Sequence, residues 1–221
     1  MTAATHPDRE ALVQLGERVR DRLAGDPGVY RVPVDQAEIF AVADFLSADE
    51  CQRMIHLIDA VARPSELFDE VFVERYRTSW SGDVDGTDTF VRMIERRLSD
   101  LIGIDTAWGE SVQGQRYEAG QEYREHCDWF DVNAAYWRKE IPRGGQRSWT
   151  AMVFLNEVEA GGETEFRKLG IKIPPQPGAL LLWNNATSQG YPNHETLHAA
   201  LPVERGVKYV ITKWFRTRTW S

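Results

Sequence analysis

The chain has 221 residues, 42% hydrophobic and 27% charged, with a formal net charge of -8; that length suits one catalytic domain with a substantial apolar core. The acidic balance and the lack of a Lys/Arg-dense stretch argue against nucleic acid as a main partner, and no apolar run approaches the roughly 20 residues of a bilayer-spanning helix, so no membrane is expected. Cys51 and Cys127 are the only cysteines, too few for a disulfide framework or a thiolate zinc site, and the first ten residues lack a signal-peptide pattern, so a reducing, cytoplasmic setting is expected.

Leu12, Leu15, Val19 and Leu23 recur at three- and four-residue spacing, which predicts a helix behind a polar lead, broken by Gly25-Asp26-Pro27-Gly28. Residues 1–41 are read as a helical extension and 42–221 as the catalytic domain. Ser47-Ala48-Asp49-Glu50 forms a capping box for a second helix, whose face carries Met54, Ile55, Ile58 and Val61 before Pro64. Residues 74–81 alternate like a strand, and Thr87 or Asp88 can cap a third helix bearing Phe90, Val91, Ile94, Leu98 and Leu101. Beyond Ser111 come short β-rich runs at 112–117, 148–155, 178–183 and 208–216, bounded by Gly, Pro or Asn, which predict an antiparallel sandwich or barrel. The stretch from Asp131 to Gln146 shows no steady period and reads as a long loop, a candidate lid.

His126-Cys127-Asp128 is an H-x-D pair whose side chains share one side if the segment is extended. With His198 far downstream it makes two imidazoles and one carboxylate, the facial set that leaves open positions on iron(II). By itself H-x-D is a weak signal. Lys208, ten residues after His198 on an expected strand, could point into a barrel, where an ammonium needs an anionic partner. His194 reads as a rim residue, because the spacing to Lys208 selects His198.

Several separated motifs share one order: Tyr117-x-x-Gly120-x-x-Tyr123-x-x-His126-x-Asp128-x-Phe130, Phe154-Leu155-Asn156, and Glu159-Ala160-Gly161-Gly162-Glu163-Thr164-x-Phe166. They continue with Pro177-Gly178-x-Leu180 to Trp183, His198-Ala199-Ala200-x-Pro202-Val203, and Lys208-x5-Trp214. From about Val42 to the C-terminus the chain resembles the catalytic domain of prolyl 4-hydroxylases. The resemblance implies an α+β, mainly β fold, a double-stranded β-helix (jelly roll) with N-terminal supporting helices. It implies iron(II) on His126, Asp128 and His198, with 2-oxoglutarate paired to Lys208 and hydrogen-bonded by Tyr117 and Thr164. O2 is the co-oxidant and ascorbate a further candidate cofactor. Related halogenases carry a small residue in place of the carboxylate, so Asp128 favours hydroxylation.

Tyr123, Arg147 and Trp214 match positions that prolyl hydroxylases use around the target ring. An aromatic face packs a pyrrolidine and a guanidinium can grip a backbone carbonyl, although aromatic residues on strands also serve plain packing. The expected substrate is a prolyl residue in an extended peptide or protein. Two alternatives stay open at this level: the same chemistry on a free amino acid or other small molecule, and a non-catalytic metal-binding jelly roll.

Overall fold

The computed structural model describes residues 8–65 and 76–221. Helix α1 (Arg9–Ala24) buries Leu12, Leu15, Val19 and Leu23 along one stripe, as their spacing predicts. Two short strands without a sequence period follow, β1 (Tyr30–Arg31) and β2 (Ile39–Val42). Helix α2 (Ala48–Val61) opens on the expected capping box: the Ser47 hydroxyl accepts from the Glu50 amide, and the Glu50 carboxylate accepts from the Ser47 amide at 2.9 Å. Its innermost face is Cys51, Met54 and Ile58, so Cys51 is a core thiol. Strand β3 (Arg63–Pro64) pairs with β4 (Trp80–Asp83), and residues 74 and 75 of the strand expected at 74–81 lie outside the described residues. Asp88 rather than Thr87 caps α3 (Thr89–Ile102), accepting from the Phe90 amide at 2.7 Å, and Ile102 rather than Leu101 is fully buried in its last turn.

The elements that follow are mainly strands: β5 (Gln113–Tyr117), β6 (Tyr123–His126), the short helix α4 (Trp137–Glu140), β7 (Arg147–Phe154), β8 (Ala160–Gly161) and β9 (Thr164–Phe166). Then come β10 (Ile171–Ile173), β11 (Leu180–Asn184), β12 (His198–Ala200), β13 (Val203–Arg205) and β14 (Lys208–Arg216). The four β-rich runs of the sequence are β5, β7, β11 and β14. A major sheet runs β1-β2-β11-β7-β14-β5-β4-β3, and a minor sheet runs β10-β9-β12-β6. Every pairing is antiparallel, giving the expected jelly roll. Val42 to Ile39 of β2 pair with Leu180 to Trp183 of β11, so the boundary drawn at residue 41 falls inside a strand of the major sheet. The first 41 residues therefore supply strand as well as helix to the same body.

Period-two alternation on the major sheet separates two environments. Trp149, Ala151 and Val153 of β7, Leu182 of β11, and Ile211 and Phe215 of β14 form one core with Leu15, Val19, Met54, Ile58, Val91, Ile94 and Leu98 of the helices. The opposite residues of β14, Lys208, Val210, Thr212 and Trp214, line the cavity between the sheets. Close helix docking requires Gly114 on β5, where a Cβ would lie 2.4 Å from Ile58 Cγ1. Gly114→Ala is expected to destabilise the fold by about 1–3 kcal/mol through overpacking. Gly86→Ala, with nothing within 4 Å of the added carbon, serves as the near-neutral control in urea unfolding.

The 131–146 segment is docked rather than free. Trp137 and Glu140 are buried, and the Glu140 carboxylate pairs with Arg216, itself buried at the end of β14. The Gln146 amide donates to Asp8 at 2.8 Å, while its side chain accepts from the Phe130 amide at 2.9 Å and donates to the Phe130 carbonyl at 3.0 Å. These contacts dock the segment on the body of the fold, and Asp131 and Tyr136 line the cavity. Among the described residues no helix is long and apolar enough to cross a membrane.

Candidate active site

His126 ends β6, Asp128 follows it, and His198 begins β12, the neighbouring strand, with His126 and His198 in register. Their ligand atoms all lie within 4.8 Å of one another. His126 Nε2 is 3.9 Å from Asp128 Oδ1, and His198 Nε2 is 3.8 Å from Asp128 Oδ2. Each imidazole has its far nitrogen on a main-chain carbonyl: His126 Nδ1 lies 2.8 Å from the Arg124 oxygen and His198 Nδ1 3.0 Å from the Thr196 oxygen. Donation from Nδ1 sets the tautomer and leaves the Nε2 lone pairs free to face a common ion.

The rings are held by stacking. Tyr123 lies flat on His126 at 3.6 Å between centroids, and Trp183 meets His198 edge-on at 4.8 Å. Burial, with His198 nearby, depresses the His126 imidazole to about 3, so it stays neutral and able to ligate. Burial alone would raise the Asp128 carboxyl, but His198, His126 and Arg147 outweigh it and the net shift is downward. Two imidazoles and one carboxylate are the donor set that suits iron(II), and the residues present fit that ion.

Lys208 is 1% exposed and faces the same cavity, whose volume is about 500 Å³. Among the described residues no carboxylate lies within salt-bridge distance of it; its Nζ donates to Thr164 Oγ1 at 3.5 Å and sits 5.4 Å from the Tyr117 ring. Burial lowers its ammonium to about 7, against a partial lift from Glu163. The Tyr117 hydroxyl donates to Gln115 Oε1 at 2.7 Å, and Gln115 donates to Thr212 at 3.1 Å. Lys208, Thr164 and Tyr117 thus come together, lining one cavity with the His-Asp-His cluster.

Tyr123, Arg147 and Trp214 also line the cavity. The Arg147 guanidinium lies 3.9 Å over the Trp214 ring and pairs with Glu110 through two bonds of 2.7 Å. That pairing occupies two of its five N–H donors. Sequence reading missed Glu110, Gln115, Thr150, Asn185 and Arg77, whose guanidinium lies 4.8 Å over the Tyr123 ring. Gln115 and Thr150 share strand faces with Tyr117 and Met152, so period two could have found them; Glu110 and Asn185 carry no such signal.

The profile of the 2OG-Fe(II) oxygenase superfamily matches residues 112–216. The probable prolyl 4-hydroxylase 10 of Arabidopsis thaliana is 32% identical over 205 residues, which cover 80% of this chain and 68% of that protein. The chain belongs to the prolyl 4-hydroxylase family of 2OG-Fe(II) oxygenases. This oxygenase is also 29% identical over 193 residues to the human prolyl 4-hydroxylase subunit alpha-1, covering 83% of itself and 35% of that subunit. Among solved structures it is similar to a viral collagen prolyl hydroxylase from Paramecium bursaria Chlorella virus-1 in complex with 2-oxoglutarate. That likeness has a TM-score of 0.64 and 28% identity, and covers 80% of this chain and 95% of that one. As a family member, the oxygenase uses iron(II), 2-oxoglutarate and O2.

Proposed function

We propose that this oxygenase hydroxylates a prolyl residue of a peptide or protein. His126, Asp128 and His198 hold the metal, and Lys208, Tyr117 and Thr164 hold 2-oxoglutarate. Tyr123, Trp214 and Arg147 receive the target ring. The observation that carries the reading is Lys208, a buried amine with no carboxylate within salt-bridge distance among the described residues, sharing one cavity with the His-Asp-His cluster. A buried ammonium is costly unless an anion joins it, and a dicarboxylate reaching from the metal to Lys208 supplies that anion.

Bound there, iron(II) with O2 supplies the oxidative decarboxylation of 2-oxoglutarate to succinate and the coupled hydroxylation of a C–H bond. The chain's own residues bind and aim. Thr164 and Tyr117 place hydroxyls beside the carboxylate held by Lys208, and the buried aromatic walls exclude water so that these charge-assisted bonds are strong. Burial pushes the Tyr123 phenol up to about 12, which keeps it a neutral, flat face stacked on His126. A pyrrolidine ring packed against Tyr123 and Trp214 is thereby presented next to the metal ligands.

Prolyl hydroxylation is the activity that the relatives' names carry. Incubating the iron-loaded full chain with proline-rich peptides should add one oxygen per peptide, read by mass spectrometry, with succinate released in step. Succinate release coupled to a free amino acid or another small molecule, with no oxygen gained by any peptide, would overturn the substrate assignment.

A further inference from the structure

Asp128 is supported from behind by two polar side chains that no motif of the family resemblance includes. Thr150 Oγ1 lies 2.9 Å from Asp128 Oδ2, and Asn185 Nδ2 lies 2.9 Å from Thr150 Oγ1. All three residues are buried, at 5%, 0% and 3% exposure. They come from three places in the chain: the second residue past β6, the centre of β7, and the residue after β11.

The direction of these bonds follows from donor and acceptor chemistry. A carboxylate can only accept, and the side-chain amide nitrogen of asparagine can only donate. The Thr150 hydroxyl receives the Asn185 N–H and gives its single proton to Asp128 Oδ2. Without Asn185 that hydroxyl could rotate its proton elsewhere. The relay also leaves a trace of cost, since the Asn185 Oδ1 is buried without a hydrogen-bond partner. A buried acceptor left unpaired in this way calls for an explanation, and the orientation of Asn185 toward Thr150 supplies one.

We infer that Thr150 and Asn185 are positioning residues that lock the carboxylate plane of Asp128 by tying down Oδ2, so that the carboxylate stays set between His126 Nε2, 3.9 Å from Oδ1, and His198 Nε2, 3.8 Å from Oδ2. The inference rests on the reading of His126, Asp128 and His198 as ligands. Outer partners of metal ligands typically hold 10- to 100-fold in affinity, and Thr150 belongs to that class through a single hydrogen bond.

The test titrates Mn(II) or Co(II) calorimetrically into the metal-free full chain, with thermal unfolding of each metal-free variant alongside. Thr150→Val, which keeps the volume and loses the hydroxyl, should weaken metal binding by roughly 10- to 100-fold. Thr150→Ser, which restores the hydroxyl, should recover binding to within a few-fold. Asn185→Leu should weaken it less than Thr150→Val, because the Thr150 proton is freed but not lost. Equal metal affinity in Thr150→Val and wild type would overturn the relay while leaving the ligand assignment intact. Loss of affinity in Thr150→Ser as large as in Thr150→Val would also overturn it, by showing that the site answers to packing rather than to the hydroxyl. A wild-type chain that binds no metal, or a His126→Ala variant that binds it undiminished, would remove the ligand assignment and the relay with it.

Discussion

Replacing His126, Asp128 or His198 by alanine is expected to abolish succinate release, each variant falling by on the order of a thousandfold or more. A bound metal contributes several kcal/mol of transition-state stabilisation, and each 1.36 kcal/mol is a factor of ten. The three side chains are not interchangeable in what they lose. His126→Ala removes the ring on which Tyr123 stacks at 3.6 Å, and so loosens the substrate wall as well as the metal. Asp128→Ala strips the only carboxylate of the cluster and leaves the Thr150 hydroxyl without its acceptor. His198→Ala opens a gap against Trp183 and Phe166. Single-turnover succinate release, with metal content measured on the same samples, checks the expectation. Undiminished turnover in any of the three would break the assignment of that ligand.

Lys208→Met should weaken 2-oxoglutarate binding by roughly thirtyfold or more, because truncating one partner of a buried charge pair costs about 2 kcal/mol at least. Metal affinity should stay near wild type, which separates the two ends of the cavity. The wild-type chain should also show a pH dependence of a definite sign. Burial lowers the free Lys208 ammonium to about 7, and a bound carboxylate raises it again. Below pH 7 the amine is already charged and affinity is flat; above it each binding event must draw in a proton. The dissociation constant should then rise with pH, by up to tenfold per unit, until the higher pKa of the bound state is passed. Calorimetry on the Mn(II)-loaded protein between pH 6 and 9 measures this slope. The slope should vanish in Lys208→Met, and its persistence there would assign it to another group.

The substrate side of the cavity is more constrained than its motif suggests. Glu110 holds Arg147 by two bonds, and Arg216 lies within 3.3 Å of the same carboxylate while pairing with Glu140 of α4. The 131–146 segment is thereby connected through buried charges to Arg147 on the cavity wall. Such a network opposes a swing of the segment, since moving Glu140 away would leave the buried Arg216 sharing the single carboxylate of Glu110 with Arg147.

Much of this protein is legible in its sequence wherever the determining interaction is local or periodic. The stripe of Leu12, Leu15, Val19 and Leu23, the Ser47–Glu50 capping box and the alternation of Lys208 to Arg216 each specify an element, because helix and strand geometry repeat over a few residues. That His126, Asp128, His198 and Lys208 share one cavity is also legible, since motif order joins them across the 82 positions from His126 to Lys208. The short strands β1, β2, β8, β9, β10, β12 and β13 were not, having too few residues for a period to declare itself. Neither were the Glu110–Arg147 pair, the docking of 131–146 on Arg216, or the chain from Asn185 through Thr150 to Asp128. Those contacts join residues 22 to 76 positions apart, and hydrogen-bond direction and buried charge pairing acquire meaning only when folding has brought the partners within 3 Å and removed the water between them.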